Sequence, residues 1–331
     1  METRSVIIRI DERARLLSAA LAATNFPDQS QTRKKHGTHL HARGTRKLLQ
    51  EHLEHPAVQT LQALLDQGIP LSSLFGYVLR LTWPGLDDVE YKPGWVPTDW
   101  NAQLADFYQR SKLVSWWTEE SDNWYTPVEQ LQEIFSKVKL HDYLEQFVGP
   151  FNDTLVLMPN ISYPTDHTVG CRVEGELIAL VPPPIAWGDS APWPYKDDPG
   201  LAYRAAISEF GSMLMSTYLS HHVAAVNAAA ARALPIDQKY KDAHPTWQDQ
   251  FLGLFKASVT ALFLEDAVSP LEARSFVQYM QRVENLQILP GAISVFRRYL
   301  DERKSGKYAE FIDYLPNIPK YLRVMKAFAP A

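Results

Sequence analysis

Ser208-Glu209-Phe210-Gly211-Ser212 sits in the middle of an alanine-rich stretch, from about residue 200 to 234, that reads as helix. At about 100° per residue, Ser208 and Ser212 fall some 40° apart on one face with Glu209 beside them. The residues before this stretch have a different texture. Thr154 to Met158, Val169 to Arg172 and Glu176 to Val181 read as three short strands, with Glu174-Gly175 as a tight turn between the last two. Pro182-Pro183-Pro184 ends the last strand, because proline cannot continue a ladder. The remaining periodic segments, before and after, are helical. Runs of helix around a small sheet, without regular alternation, give a predominantly helical α+β architecture. The expected sheet is small and mostly antiparallel, followed by the 208–212 helix and C-terminal helices.

The chain has 331 residues, enough for one large domain or two packed ones. A region 1–125, mainly helical with a first strand over 5–11, and a region 126–331 carrying the sheet and the key helix are expected. Thr126-Pro127-Val128-Glu129 and Ser269-Pro270-Leu271-Glu272 both look like helix starts, with an N-cap hydroxyl, Pro at N1 and Glu at N3. Apolar residues make up 46% and charged residues 21%, as in ordinary globular proteins. The net charge of -5 gives no global basic field for nucleic acid, and no apolar run approaches the length of a membrane span. Ser5 to Asp11 is too short and too interrupted for a signal peptide and reads as a strand. The single cysteine, Cys171, excludes an internal disulfide and lies in a strand, where burial is expected. A cytoplasmic location fits these features best.

Chemically, the five residues have the outline of H-E-x-x-H, in which two histidines four residues apart bind zinc and the glutamate is general base. Here Glu209 holds the base position while serine, which does not normally bind zinc, fills both ligand positions. A second cluster, from Arg33 to Lys47, combines His36, His39 and His41 with a dense run of Lys and Arg. It reads as a solvated connector, an anion or phosphate patch, or a weak metal site, the last opposed by the surrounding cations. The nine tryptophans lie between Trp83 and Trp247. Of these, Trp187 and Trp193, together with Tyr195, form a Pro-rich loop expected to rim a cleft near Glu209. No P-loop, dinucleotide fingerprint or nucleophile elbow is present.

The wider sequence resembles a family of uncharacterised bacterial proteins that look like gluzincin metallopeptidases. The resemblance is loose. It runs from Val6-Ile-Ile-Arg-Ile-Asp-Glu-Arg-Ala-Arg-Leu-Leu17 through His55-Pro-Ala-Val58, Phe135 to Phe147 and Leu155-Val-Leu-Met-Pro-Asn160 to Leu252-Gly-Leu-Phe-Lys-Ala257. It implies that Glu209 matches the general base, Ser208 and Ser212 the two histidine ligands, Leu252 the glutamate ligand and Lys256 a neighbouring arginine. All three ligand positions then depart from the family pattern, and no glutamate occurs from Phe210 to Leu264. A catalytic zinc needs three protein ligands, so zinc is expected to be lost and with it peptidase activity. The expectation is a degenerate, non-catalytic protein that binds a peptide or protein partner. The alternative is an active hydrolase with a metal site relocated among His36, His39, His41, His167, His221, His222 and His244.

Overall fold

The computed structural model describes residues 4–33, 35–87, 92–186 and 188–323. They form two compact units. The sheet unit comprises Val6–Lys137 and Asp153–Asp198, and the helical unit comprises Met1–Ser5, Val138–Asn152 and Pro199–Ala331.

The sheet unit contains β1 (Ile7–Ile8), β2 (Thr154–Pro159), β3 (Val169–Val173) and β4 (Glu176–Val181), in spatial order β1-β2-β4-β3. β1 and β4 both pair with β2 in parallel, and β3 pairs with β4 antiparallel. The sheet is therefore mixed and mostly parallel, not mostly antiparallel as expected. The hairpin itself is where the sequence puts it: Glu174 and Gly175 both have positive φ, as a two-residue type I′ turn requires, and Val173 pairs with Glu176. Local sequence reveals that hairpin but not that β4, the strand after it, docks against β2. The central strands β2 and β4 are apolar almost throughout because both faces are covered. β3 alternates, with Cys171 on the buried side.

Among the described residues, this unit also holds the α-helices α1 (Glu12–Ala22), α2 (Phe26–Arg33), α3 (Leu40–Leu48), α4 (Pro56–Asp66), α5 (Leu71–Val78), α6 (Trp100–Arg110), α7 (Leu113–Glu119) and α8 (Ser121–Ser136). α1 is buried from Leu16 to Ala22 and forms the centre of the core with Leu61, Phe75 and Phe107. Two features depart from the sequence reading. Residues 25–47 are not an open connector but hold α2 and α3. α8 starts five residues before Thr126, with Pro127 buried inside it, so the apparent capping box is not its start.

The helical unit contains α9 (Leu140–Val148), α10 (Pro199–Ser220), α11 (Val223–Ala230), α12 (Gln238–Ala243), α13 (Trp247–Ala267), α14 (Pro270–Arg282), α15 (Leu289–Lys304), α16 (Phe311–Tyr314) and α17 (Ile318–Tyr321). Ser269 does cap α14, accepting from the Glu272 amide at 3.1 Å. α10 and α13 pack along each other and are apolar nearly all round, the pattern of helices buried on several sides. Phe147, Phe251, Phe255, Phe296, Tyr299 and Phe311 interlock as one aromatic core, with Phe296 and Phe311 stacked at 5.9 Å. No helix among the described residues is long and apolar enough to cross a membrane.

Candidate functional site

Ser208, Glu209 and Ser212 lie half-buried on α10. The Ser212 hydroxyl donates to the Ser208 carbonyl at 2.5 Å, a bond back to the preceding turn. Between them, Gly211 faces the α9 and α13 neighbours: a Cβ there would lie 3.5 Å from the Phe255 ring and 3.8 Å from Leu144. Leu252 and Lys256 are half-buried on α13, and at Gly253 a Cβ would come within 1.8 Å of the Tyr240 hydroxyl. This part of the chain is a helix crossing at close range. The sheet that precedes α10 in sequence belongs to the other unit. So do Trp193 and Tyr195, while Trp187 lies outside the described residues. Trp193 is exposed and lines a cavity of about 170 Å³ with His39 and Pro194. Tyr195 is buried, its hydroxyl donating to the Val181 carbonyl at 2.5 Å, and burial pushes its phenol far above the ordinary value.

The histidines are engaged one by one. His36 is buried, with Nδ1 2.9 Å from the Gly37 carbonyl, to which it donates. His39 caps α3, its Nδ1 accepting from the His41 amide at 3.1 Å. His41 stacks on Trp116 and meets Trp124 edge-on. His41 Nε2 accepts from Trp124 Nε1 at 3.2 Å, and Nδ1 donates to Glu120 at 3.3 Å. Burial, with Arg15 and His39 adding to it, lowers the His41 pKa to about 3, so the ring is neutral at ordinary pH. His167 contacts Asp166, His222 packs on Tyr218, and His244 stacks on Tyr240. Neither His36, His39 and His41 nor any histidine group around Glu209 gathers as a ligand set among the described residues. The group that does gather metal-type donors is His141, Asp142 and Glu145 on α9. There His141 Nδ1 lies 3.4 Å from Glu145, and the Arg4 guanidinium, 3.3 Å from His141 Nε2 and 3.9 Å from Glu145, opposes a further cation.

Residues 36–47 instead contribute to a cationic cavity. α3 buries His41, Ala42 and Thr45 on one face. Its other face presents Arg43, Arg46 and Lys47, with Gln50 one turn on, at i, i+3, i+4 and i+7, and all four line one cavity of about 560 Å³. That volume is in the range of small-ligand sites. The opposite wall comes from Gln31, the segment 36–38, Tyr163 and Asp189. Gln31 fixes this wall by accepting from the His36 amide at 3.2 Å and donating to the His36 carbonyl at 3.2 Å. At Gly37 a Cβ would fall 1.4 Å from the Ser190 carbonyl oxygen, so this approach requires glycine. Arg46 is paired with Asp28 at 2.6 Å, a bond that raises its pKa. The Arg43 and Lys47 side chains form no hydrogen bond or ion pair with a described residue. The cavity is thus lined by three cations and one carboxylate, Asp189, which is itself at the exposed lip.

The cationic character of this stretch is legible in the sequence as composition. Its shape is not, because residues 25–47 read as polar connector and the i, i+3, i+4, i+7 stripe opposite Ala42 and Thr45 is the missed signal. No protein family, curated protein or solved structure matches this chain.

Proposed function

We propose that this chain is a non-catalytic binding protein whose ligand presents a phosphate or comparable dianion to the cationic face of α3. The observation that carries this reading is the pair Arg43 and Lys47, without a partner among the described residues, on the wall of a ligand-sized cavity. Arginine supplies a planar two-donor fork and lysine a point charge, a combination suited to phosphate oxygens. A peptide or protein partner, as expected from sequence, would enter through an acidic or phosphorylated side chain. A cytoplasmic setting and the loss of zinc belong to the same proposal. In it, α10 keeps the gluzincin outline for packing alone, and that ancestry rests on the motif, since the sheet lies in the other unit. None of His36, His39, His41, His167, His221, His222 and His244 belongs to a group of metal-type donors among the described residues.

Isothermal titration with inorganic phosphate and pyrophosphate tests the anion site. Binding should weaken with added salt, as partly exposed charges are screened. Arg43→Gln with Lys47→Gln should lower affinity by on the order of 10-fold or more while leaving the melting temperature unchanged, because both side chains are exposed. Absence of binding, or equal binding by the double variant, would remove the proposal. Stoichiometric zinc in protein purified without an affinity tag would overturn its non-catalytic part.

A further inference from the structure

A second cavity of the sheet unit surrounds a different kind of cation. Arg15 projects from α1 between two indoles, its guanidinium carbon 4.3 Å from the Trp117 ring centroid and 4.5 Å from that of Trp124. Arg15 Nε and Nη2 are buried and have no hydrogen-bond partner. Among the described residues no carboxylate pairs with the group. Asp11, at the start of α1, is held by Arg13 through its amide, Nε and Nη2. Glu12 acts only through space, and burial lowers the Arg15 pKa to about 10, which leaves it charged at neutral pH. Two cation–π contacts offset part of the cost of burying this charge but provide no counter-ion. An enclosed space of about 10 Å³, bounded also by Trp124 and Asn160, has room for one water, which would accept hydrogen bonds and still leave the charge uncompensated.

Arg15 also lines an open cavity of about 600 Å³, and of its guanidinium nitrogens only Nη1 can face it, since Nε and Nη2 are sealed from solvent. The walls are mixed: Ile8 and Ile10 beside the sheet edge, then Tyr108, Val114, Trp117 and Trp124, with Glu12, Thr118 and Ser121 as polar members. The other arginine lining it, Arg9, is already bound bidentately by Glu176 at 2.7 and 2.6 Å. One guanidinium without a partner among the described residues, aromatic and aliphatic wall residues, and Glu12 on the same cavity, which opposes a second negative charge, select a monoanion with an apolar body.

We propose that this cavity binds a carboxylate carried on an aromatic or branched apolar group, with the carboxylate on Arg15 and the apolar body against Trp117, Tyr108 and Ile10. The site is independent of the cationic cavity of α3. The carboxylate has two sources, a free small acid or the C-terminal residue of a peptide running beside the edge strand β1.

Calorimetric titration of the full chain with N-acetyl-phenylalanine, its amide, and a short peptide ending in phenylalanine as free acid or amide tests this. Both free acids should bind, and the amides should bind on the order of 10- to 100-fold more weakly, the loss of one charge-assisted pair. A peptide acid tighter than the small acid assigns the peptide source, and the reverse order assigns the small acid. Arg15→Met should abolish the preference for acid over amide and raise the melting temperature, since an apolar side chain between the indoles removes the unpaired buried charge. Arg15→Lys, which keeps the charge but not the fork, should retain part of the preference. No binding of either acid, equal binding of acids and amides, or an Arg15→Met protein that melts lower would overturn the proposal.

Discussion

His41 makes the chain's stability depend on pH in a defined direction. Its ring is buried on the inner face of α3, and its Nε2 accepts a hydrogen bond from Trp124. Protonation at Nε2 would set two donors against each other, next to Arg15 and His39, which also oppose a positive charge. Glu120 at Nδ1 pulls the other way, but burial dominates and the folded pKa falls from 6.5 to about 3. Between those two values the unfolded chain binds the proton and the folded chain does not, so stability falls as pH falls through that window. At pH 5 the solution lies about 1.5 units below the unfolded pKa, which at ~1.36 kcal/mol per unit costs about 2 kcal/mol relative to pH 7. The loss continues down to the folded pKa and then levels off. His39 and His141 are lowered by burial too and add in the same direction. The comparison is therefore with His41→Gln, which keeps a donor and an acceptor but does not titrate. Urea unfolding followed by tryptophan fluorescence should give a stability difference between pH 7 and pH 5 that is about 2 kcal/mol smaller in His41→Gln. An imidazole NMR titration of the folded protein should show His41 without a transition above pH 4. A His41 midpoint near the ordinary histidine value, or equal pH dependence in the two proteins, would refute the reasoning.

Two helix glycines, Gly211 of α10 facing α13 and Gly253 of α13 facing Tyr240 of α12, should respond with opposite signs. Gly211→Ala places its methyl in ordinary contact with Phe255 and gains helix propensity, so it should stabilise by about 0.5–1 kcal/mol. Gly253→Ala drives a methyl to 1.8 Å from the Tyr240 hydroxyl of a buried, His244-stacked ring, and overpacking should destabilise by about 1–3 kcal/mol. Thermal unfolding of the two variants checks both, and a shared sign would refute the packing around one of the two glycines. Cys171 is buried in β3, so a thiol reagent should leave the native protein unlabelled and modify one site per chain in denaturant. Rapid labelling under native conditions would place the β3 face in solvent.

What the sequence by itself determined is local. The α+β class, the Glu174-Gly175 hairpin, the Ser269 cap of α14 and the burial of Cys171 follow from nearest-neighbour chemistry: φ-permissive turn residues, a hydroxyl beside free amides, apolar alternation. The tertiary structure alone decided that β4 joins β2 in parallel, since strand partners are chosen by the burial of both faces and not by chain order. It also decided which residues meet. Ser208-Glu209-Phe210-Gly211-Ser212 looks like a site in one dimension because its spacing matches a ligand face. In three dimensions that segment sits in a helix crossing built around Gly211, in a different unit from the sheet. His36, His39 and His41 look like one cluster, yet a helix cap and a change of backbone direction send the rings to three separate tasks. Arg15 gives no signal in the sequence, because its partners are tryptophans a hundred residues away and its defining property, a buried charge with no counter-ion, exists only once the chain has folded around it.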